Sequence, residues 1–349
     1  MKYLYILLLL VPVAIITDFL HLNPVFVFTA SALGILPLAA LLGDATEELA
    51  MHTGPRAGGL INATLGNAAE LIITVFALRA GLLDLVKASI TGSILGNILL
   101  VLGTSILLGG MRHGTQAFNR RTAGNNATIM TLAVVLLATP AVFFHALEGN
   151  GHAVAYLSEG VAAVMIILYL LYLLYSFRFE QKLVGKANHG HTARWSVGLS
   201  LSLLLVSTLF TAWLSEILVR AVEPVVTQVG VTEFFLGVIL IPIVGNVAEH
   251  VVAIEVALKN QMDLSLAISI GSSLQIALFV APLLVFISLF VGPEPLNLVF
   301  TRFELGALGA AVFIATLVSQ DGESNWLEGA ELLAVYIVLA MAFFFLPAH

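Results

Sequence analysis

The sequence predicts an all-α integral membrane protein with eleven transmembrane helices: one extra N-terminal helix plus two five-helix repeats of inverted topology. Three observations carry that expectation. Of the 349 residues, 10% are charged and 60% hydrophobic, where ordinary soluble domains carry roughly 25% charge. Apolar runs of about 20 residues, long enough to cross the hydrocarbon core of a bilayer, recur along the chain, and the mean hydropathy is +1.04. Finally, Gly66-Asn67-Ala68-Ala69-Glu70 returns as Gly245-Asn246-Val247-Ala248-Glu249 in the second half.

The spans fall at 3–20, 24–46, 58–78, 84–109, 125–146, 155–178, 195–220, 232–257, 264–291, 298–318 and 326–346. Met1-Lys2 followed by Leu7 to Leu10 resembles a signal peptide, but no small-residue cleavage pattern follows, so this stretch reads as the first span. A polar stretch around Thr46, Glu47, His52 and Arg56 separates spans two and three. Residues 179–194, with Lys182, Lys186, His189, His191 and Arg194, form the natural linker. The division is therefore a peripheral first helix (1–22), a first half (23–178), the linker (179–194) and a second half (195–349).

Charge asymmetry sets the orientation. With the N-terminus cytoplasmic, Lys2, Arg56, Arg112, Arg120, Arg121, Arg178, Lys182, Lys186, Arg194 and Lys259 all fall inside. Only Arg79, Lys87, Arg220 and Arg302 fall at or near the other face. This places the linker in the cytoplasm and the C-terminus on the opposite side, and it requires an odd number of spans. The short termini suit a prokaryotic plasma membrane.

Several function classes drop out. The chain has no cysteine, which excludes disulfides, thiolate metal sites and thiol catalysis. Its 14 Lys and Arg form no dense stripe for nucleic acid. There is no His-Glu-x-x-His or Gly-x-Ser-x-Gly pattern, and His250 alone beside a central glutamate is too few ligands for an ordinary zinc enzyme. The lipid bilayer is the expected surrounding, no cofactor is expected, and a homo-oligomer is left open.

The repeat extends beyond the motif. Asp84 matches Asp263, Gly92-Ser93 matches Gly271-Ser272, and Thr46-Glu47 weakly echoes Ser215-Glu216. Five spans per half is an odd number, so the second half enters the membrane from the opposite side, the arrangement that supports alternating access. A channel is the alternative, and the inverted duplication argues against it.

Each half supplies an oxygen-only constellation. Asn67 and Glu70, and likewise Asn246 and Glu249, lie three apart on one helical face. Ser93 and Asn97 lie four apart in the next span, and Ser272 and Gln275 three apart in its counterpart. Two carboxylates with amide and hydroxyl oxygens suit a hard divalent cation such as Ca²⁺, which takes roughly 6–8 oxygen ligands. Without that ion, two close carboxylates in a poorly solvated cavity cannot comfortably both stay ionised, so protons and a cation compete for the same oxygens. The blander reading makes Ser93, Asn97, Ser272 and Gln275 interhelical hydrogen-bonding residues, with Gly92 and Gly96 as packing residues. His250 reads equally as proton acceptor or supporting partner. Glu47 and Glu216, near span ends, are either solvated or guard cation admission, while Glu255, Glu304, Glu328 and Glu331 read as solvated or interfacial.

These motifs are familiar. Met51-His52-x-Gly54-Pro55-Arg56-x-Gly58-Gly59-Leu60-x-Asn62-Ala63-Thr64-x-Gly66-Asn67-Ala68-x-Glu70, with Gly92-Ser93-x-Leu95-Gly96-Asn97, resembles the Ca²⁺/H⁺ antiporters of the cation/Ca²⁺ exchanger superfamily. Ser215-Glu216-Ile217-Leu218-Val219, Gly245-Asn246-Val247-Ala248-Glu249-His250 and Gly271-Ser272-Ser273-Leu274-Gln275-Ile276 carry the resemblance through the second half. It implies that Glu70 and Glu249 bind Ca²⁺ and H⁺, supported by Asn67, Ser93, Asn246, Ser272 and Gln275. It also implies that spans two and seven, bearing Thr46, Glu47, Ser215 and Glu216, slide to switch access. Family members often carry an acidic segment between the halves, whereas 179–194 holds only Glu180. The rival readings are a Na⁺/Ca²⁺ exchanger, disfavoured because Gly-Asn stands where that branch carries more hydroxyls, and a broader divalent cation/H⁺ antiporter that takes Mn²⁺.

Overall fold

A computed structural model describes residues 4–147, 151–179 and 193–346. The apolar runs are helical throughout, as they must be where lipid offers backbone N–H and C=O groups no partner. The helices are α1 (Leu4–Phe19), α2 (Pro24–Gly54), α3, α4 (Leu83–His113), α5 (Arg120–Phe143), α6 (Gly151–Phe179) and α7 (Val197–Val229). They continue as α8 (Glu233–Leu258), α9 (Met262–Ser288), α10 (Arg302–Val318) and α11 (Trp326–Phe344). α3 has two limbs, 55–65 and Ala68–Arg79, broken at Gly66-Asn67. Among the described residues, eight helices are long and apolar enough to cross a membrane; α1, the broken α3 and α10 are shorter. Polar caps mark many helix starts: Asn23 before Pro24, Asn119, Ser196, Thr232, and capping boxes at Thr301/Glu304 and Asn325/Glu328.

Three features depart from the sequence reading. The polar stretch after residue 46 is not a loop: the helix continues to Leu65, and only Gly54 leaves helical geometry, at φ 82°, a conformation glycine adopts without steric penalty. The extension is anchored by Glu48, whose carboxylate accepts from the backbone N–H of Arg194 and Trp195 at 2.7 and 3.1 Å. His52 Nε2 adds a bond to Trp195 O at 2.7 Å. Thr46-Glu47 and Ser215-Glu216 therefore sit inside α2 and α7 rather than at span ends. The tenth helix starts at Arg302, not 298, because the Thr301/Glu304 capping box fixes its first turn. Finally, the all-α expectation has one small exception, an antiparallel pair of β1 (Gln116–Ala117) and β2 (Glu323–Ser324).

α4, α8 and α9 each contain a π-helical stretch, at Gly96–Val101, Leu236–Leu240 and Ile276–Val280. In α8 and α9 a proline stands one residue beyond the stretch, Pro242 after Ile241 and Pro282 after Ala281. A widened turn there absorbs the donor that proline lacks.

The helices pack crosswise between halves. α2 and α7 form the most extensive pair, and α1 lies on both. α11 covers α4, α6 covers the far part of α9, and α10 packs on α5. Contacts gather at two ends. At the linker end, β1 and β2 pair, His113 reaches Leu258 O, Gln116 reaches Ala257 O and Asn260, and Asn119 N donates to Asp263. At the far end, Gly292 abuts Leu78 O, Pro293 abuts Gly81, and Arg220 pairs with Asp18 at 3.1 Å. Residues 180–192, which hold most of the linker basics and both linker histidines, lie outside the described residues.

Candidate functional site

Glu70 and Glu249 meet in the middle of this packing. Glu70 sits in the first turn of the Ala68–Arg79 limb of α3, just past the break at Gly66-Asn67. Free N–H groups at a helix start favour a negative charge there. Glu249 lies within a continuous helix, α8, so the two copies of one motif differ in backbone. Their contacts are nonetheless reciprocal. A Cβ placed on Gly245 would lie 3.3 Å from Glu70 Cβ, and one on Gly66 would lie 3.6 Å from Glu249 Oε1. Each motif's glycine thus lies against the other's glutamate, Gly245 at the Glu70 Cβ and backbone and Gly66 at the Glu249 carboxylate.

The two acids have unequal surroundings. Glu70 is fully buried. Its Oε1 accepts from the Ser93 hydroxyl, and Oε2 from Asn246 Nδ2 at 3.4 Å. Asn246 also reaches Ser93 Oγ at 3.2 Å and Pro242 O at 3.1 Å, the latter a carbonyl one turn earlier. Glu249 is half-buried, and its Oε2 has no hydrogen-bond partner among the described residues. The Ser272 hydroxyl also acts on this carboxylate.

Beside Glu249 runs a directional hydrogen-bond chain through four helices. His250 Nε2 meets Asn97 Oδ1 at 3.1 Å, and Asn97 Nδ2 donates to Ser272 Oγ at 3.1 Å. Ser272 donates to Asn67 Oδ1 at 3.4 Å, and Asn67 Nδ2 donates to Gln275 Oε1 at 2.6 Å. His250, Asn97 and Gln275 stand where the other copy has Leu71, Ile276 and Gly96. The residues that break the repeat's symmetry are therefore connected to one another.

Every residue singled out in the two constellations reaches this cluster. Ser93 and Asn97 share a helix but serve different neighbours, because a π-helical stretch starts at Gly96. Gly96 is not a packing residue, since a Cβ there would meet nothing within 4 Å. Gly92 is one, lying tightly against the backbone of Val238. Thr46 and Ser215 are fully buried; Glu47 and Glu216 are exposed. Glu255 is exposed and 3.9 Å from Lys259.

Glu304 overturns its interfacial reading. It is 1% exposed, with Oε2 on the Thr301 N–H at 2.7 Å and Oε1 on the Thr91 hydroxyl at 3.0 Å. Lys87 interacts with it electrostatically. Its capping spacing, Thr-x-x-Glu, was visible in the sequence; the α4 partners were not. Glu48 was passed over in favour of its neighbour Glu47. The signal that finds it is the four-residue spacing to His52, which places both on the face that meets Trp195.

A nearly all-helical chain whose crossed halves bring two acids into an oxygen-lined cluster has the build of an ion exchanger. The chain belongs to the sodium/calcium exchanger protein family, which matches residues 23–178 and 199–345, and within it to the Ca²⁺/H⁺ antiporters. It is 46% identical to a Ca(2+)/H(+) antiporter of Aphanothece halophytica over 98% of this chain and 96% of that one. Identity to the Ca(2+)/H(+) antiporter ChaA of Bacillus subtilis is 41%, over 96% and 97% of the two chains. Among solved structures, native YfkE superposes with a TM-score of 0.87 at 41% identity, covering 98% of this chain and 100% of that one. An H+/Ca2+ exchanger CAX shares the fold at a TM-score of 0.72 and 18% identity, covering 98% and 91%.

Proposed function

We propose that this protein is a secondary transporter that moves Ca²⁺ out of the cytoplasm in exchange for H⁺ by alternating access, and that it is not an enzyme. Glu70 and Glu249 form the shared site, binding Ca²⁺ in one phase and protons in the other. Asn67, Ser93, Asn97, Asn246, Ser272 and Gln275 supply further oxygens, and His250 assists proton handling at Glu249. The single observation that carries the reading is the reciprocal fit of the two motifs, each glycine against the other's glutamate. Two carboxylates so placed repel each other unless a divalent cation or protons intervene.

The architecture in this reading is eleven spans. α1, the two-limbed α3 and α10 each cross the membrane beside the eight longer helices. Residues 23–178 and 195–349 are inverted repeats, and α1 stands outside them. The α11–α4 and α6–α9 pairs support this, being the same pairing with the halves exchanged. The linker end is cytoplasmic by its excess of Lys and Arg, and the C-terminus lies on the other side. α2 and α7, carrying Thr46, Glu47, Ser215 and Glu216, are the sliding pair.

The test is Ca²⁺ uptake into everted vesicles under an imposed proton gradient. The parent should accumulate Ca²⁺, while Glu70→Gln and Glu249→Gln should each abolish uptake. Uptake that survives either substitution overturns the shared site. Flux that follows a Na⁺ gradient at equal pH on both sides would favour a Na⁺/Ca²⁺ exchanger, and a Mn²⁺ arm in the same preparation fixes the breadth of selectivity.

A further inference from the structure

The two helices that carry the central glutamates each end on a cation, and the two ends treat it differently. The repeat sets Ala77-Leu78-Arg79 of α3 against Ala257-Leu258-Lys259 at the end of α8. Both cations stand at a helix C-terminus, where the dipole favours positive charge. At the linker end Glu255 lies one turn before Lys259, with 3.9 Å between carboxylate and ammonium. The same place before Arg79 is held by Val75. The chain packed across each end changes in the same sense. At the linker end His113, preceded by Arg112, bonds Leu258 O at 2.9 Å. At the far end Gly292, preceded by Val291, abuts Leu78 O. Glu255, Arg112 and His113 thus give way to Val75, Val291 and Gly292, and only the cation is kept.

These replacements leave a groove of about 480 Å³, lined by Val75, Phe76, Arg79, Phe290, Val291 and Gly292. That volume lies within the roughly 300–1,000 Å³ range of small-molecule sites. One wall comes from α3 and the other from the segment just beyond α9, so the groove straddles the two halves. No lining residue is acidic, and Phe290 is 90% exposed. Arg79 is exposed and makes no ion pair or hydrogen bond among the described residues. The other far-side cations are not all so placed: Arg220 pairs with Asp18, and Lys87 lies near Asp84 and Glu304.

We infer that this groove binds an anionic phospholipid, with the phosphate on the Arg79 guanidinium and an acyl chain along Val75, Phe76 and Phe290. A guanidinium matches phosphate oxygens with two parallel N–H donors, and long cationic side chains near the end of a span reach for the headgroup level. Val75 and Phe76 lie about one helical turn deeper along α3, where hydrocarbon is the natural filling. A free phosphate would use only one side chain and leave the apolar walls uncovered. A headgroup amine would find no carboxylate in the groove. The lipid therefore bridges the Glu70 limb of α3 to the segment after α9. The inference needs the membrane setting and not the identity of the transported ion.

The test is native mass spectrometry of the purified protein titrated with phosphatidylglycerol in detergent. The parent should keep one phosphatidylglycerol under activation that strips phosphatidylcholine. Arg79→Gln should weaken retention roughly fivefold, the scale of one basic residue at a charged lipid surface, and Phe290→Ala should weaken it as well. Lys259→Gln, at the matched position, should retain the lipid like the parent. Val75→Glu copies the Glu255–Lys259 arrangement and should release the lipid with Arg79 still in place. Arg79 is exposed, so Arg79→Gln should keep the parental unfolding midpoint in lipid-free detergent. Three results would overturn the proposal: parental retention in both Arg79→Gln and Val75→Glu, equal retention of phosphatidylcholine, or displacement of phosphatidylglycerol by inorganic phosphate. The readout is bound lipid and not flux. A parent that keeps phosphatidylglycerol but shows no proton-driven Ca²⁺ transport would sink the Ca²⁺/H⁺ reading and leave the lipid site standing.

Discussion

Gln275 fixes which way Asn67 presents its amide. Because Asn67 Nδ2 donates to Gln275 Oε1 at 2.6 Å, Oδ1 is left facing the Ser272 hydroxyl. Gln275→Ala leaves that donor buried and unpaired, a cost of about 1–3 kcal/mol, and frees the amide to turn its oxygen away. Ca²⁺ affinity measured by calorimetry on the purified protein should weaken, while folding is retained. The mirror-image substitution has no equivalent, since the matched residue is Gly96. The site's legibility follows the same line. Glu70 and Glu249 stood out in the sequence because an isolated carboxylate in an apolar run is costly. The chain from His250 to Gln275 did not, because helical spacing relates residues only within one helix and these bonds cross four. Glu304 was misjudged for a related reason. Its Oε1 is held by Thr91 of α4, a partner that lies on another helix more than 200 residues away in sequence.

At the scale of elements, α2 was the helix least readable from sequence. Thr46, Glu47, Glu48 and His52 look like a loop by polarity, and only the partner segment at Arg194-Trp195 explains why they stay helical. Glu48→Ala removes the acceptor of two backbone N–H groups and should lower stability by about 1–2 kcal/mol. Thermal unfolding in detergent would register this as a reduced midpoint. His52→Ala, in contact with the same Trp195, should couple with it rather than add independently. The π-helical stretches were equally hidden, since a widened turn leaves no periodic signature. Their place in α4 and α9 beside the acid cluster accords with the habit of such turns to occur at functional sites.

For the whole molecule, composition and the positive-inside bias gave the topology that the proposed reading uses, and that topology is testable without a structure. A cysteine at Lys186 should react with a membrane-impermeant maleimide only in everted vesicles, and one placed after His349 only in intact cells. The reverse pattern would invert the assigned direction of transport.

The cover that α11 lays over α4 has a consequence for how the protein is made. α4 is the most enclosed of the long helices, with 72% of its apolar window inside the fold, yet its cover, α11, is synthesised long after it. The tight fit runs through Gly103 and Gly110 of α4 and Gly329 of α11, where an added methyl would strike backbone. Until α11 inserts, α4 waits in the bilayer with this seam exposed to lipid or to quality-control proteases. A chain released short of residue 326 should therefore be degraded instead of accumulating as a partial transporter, which a pulse-chase of the truncated chain would show.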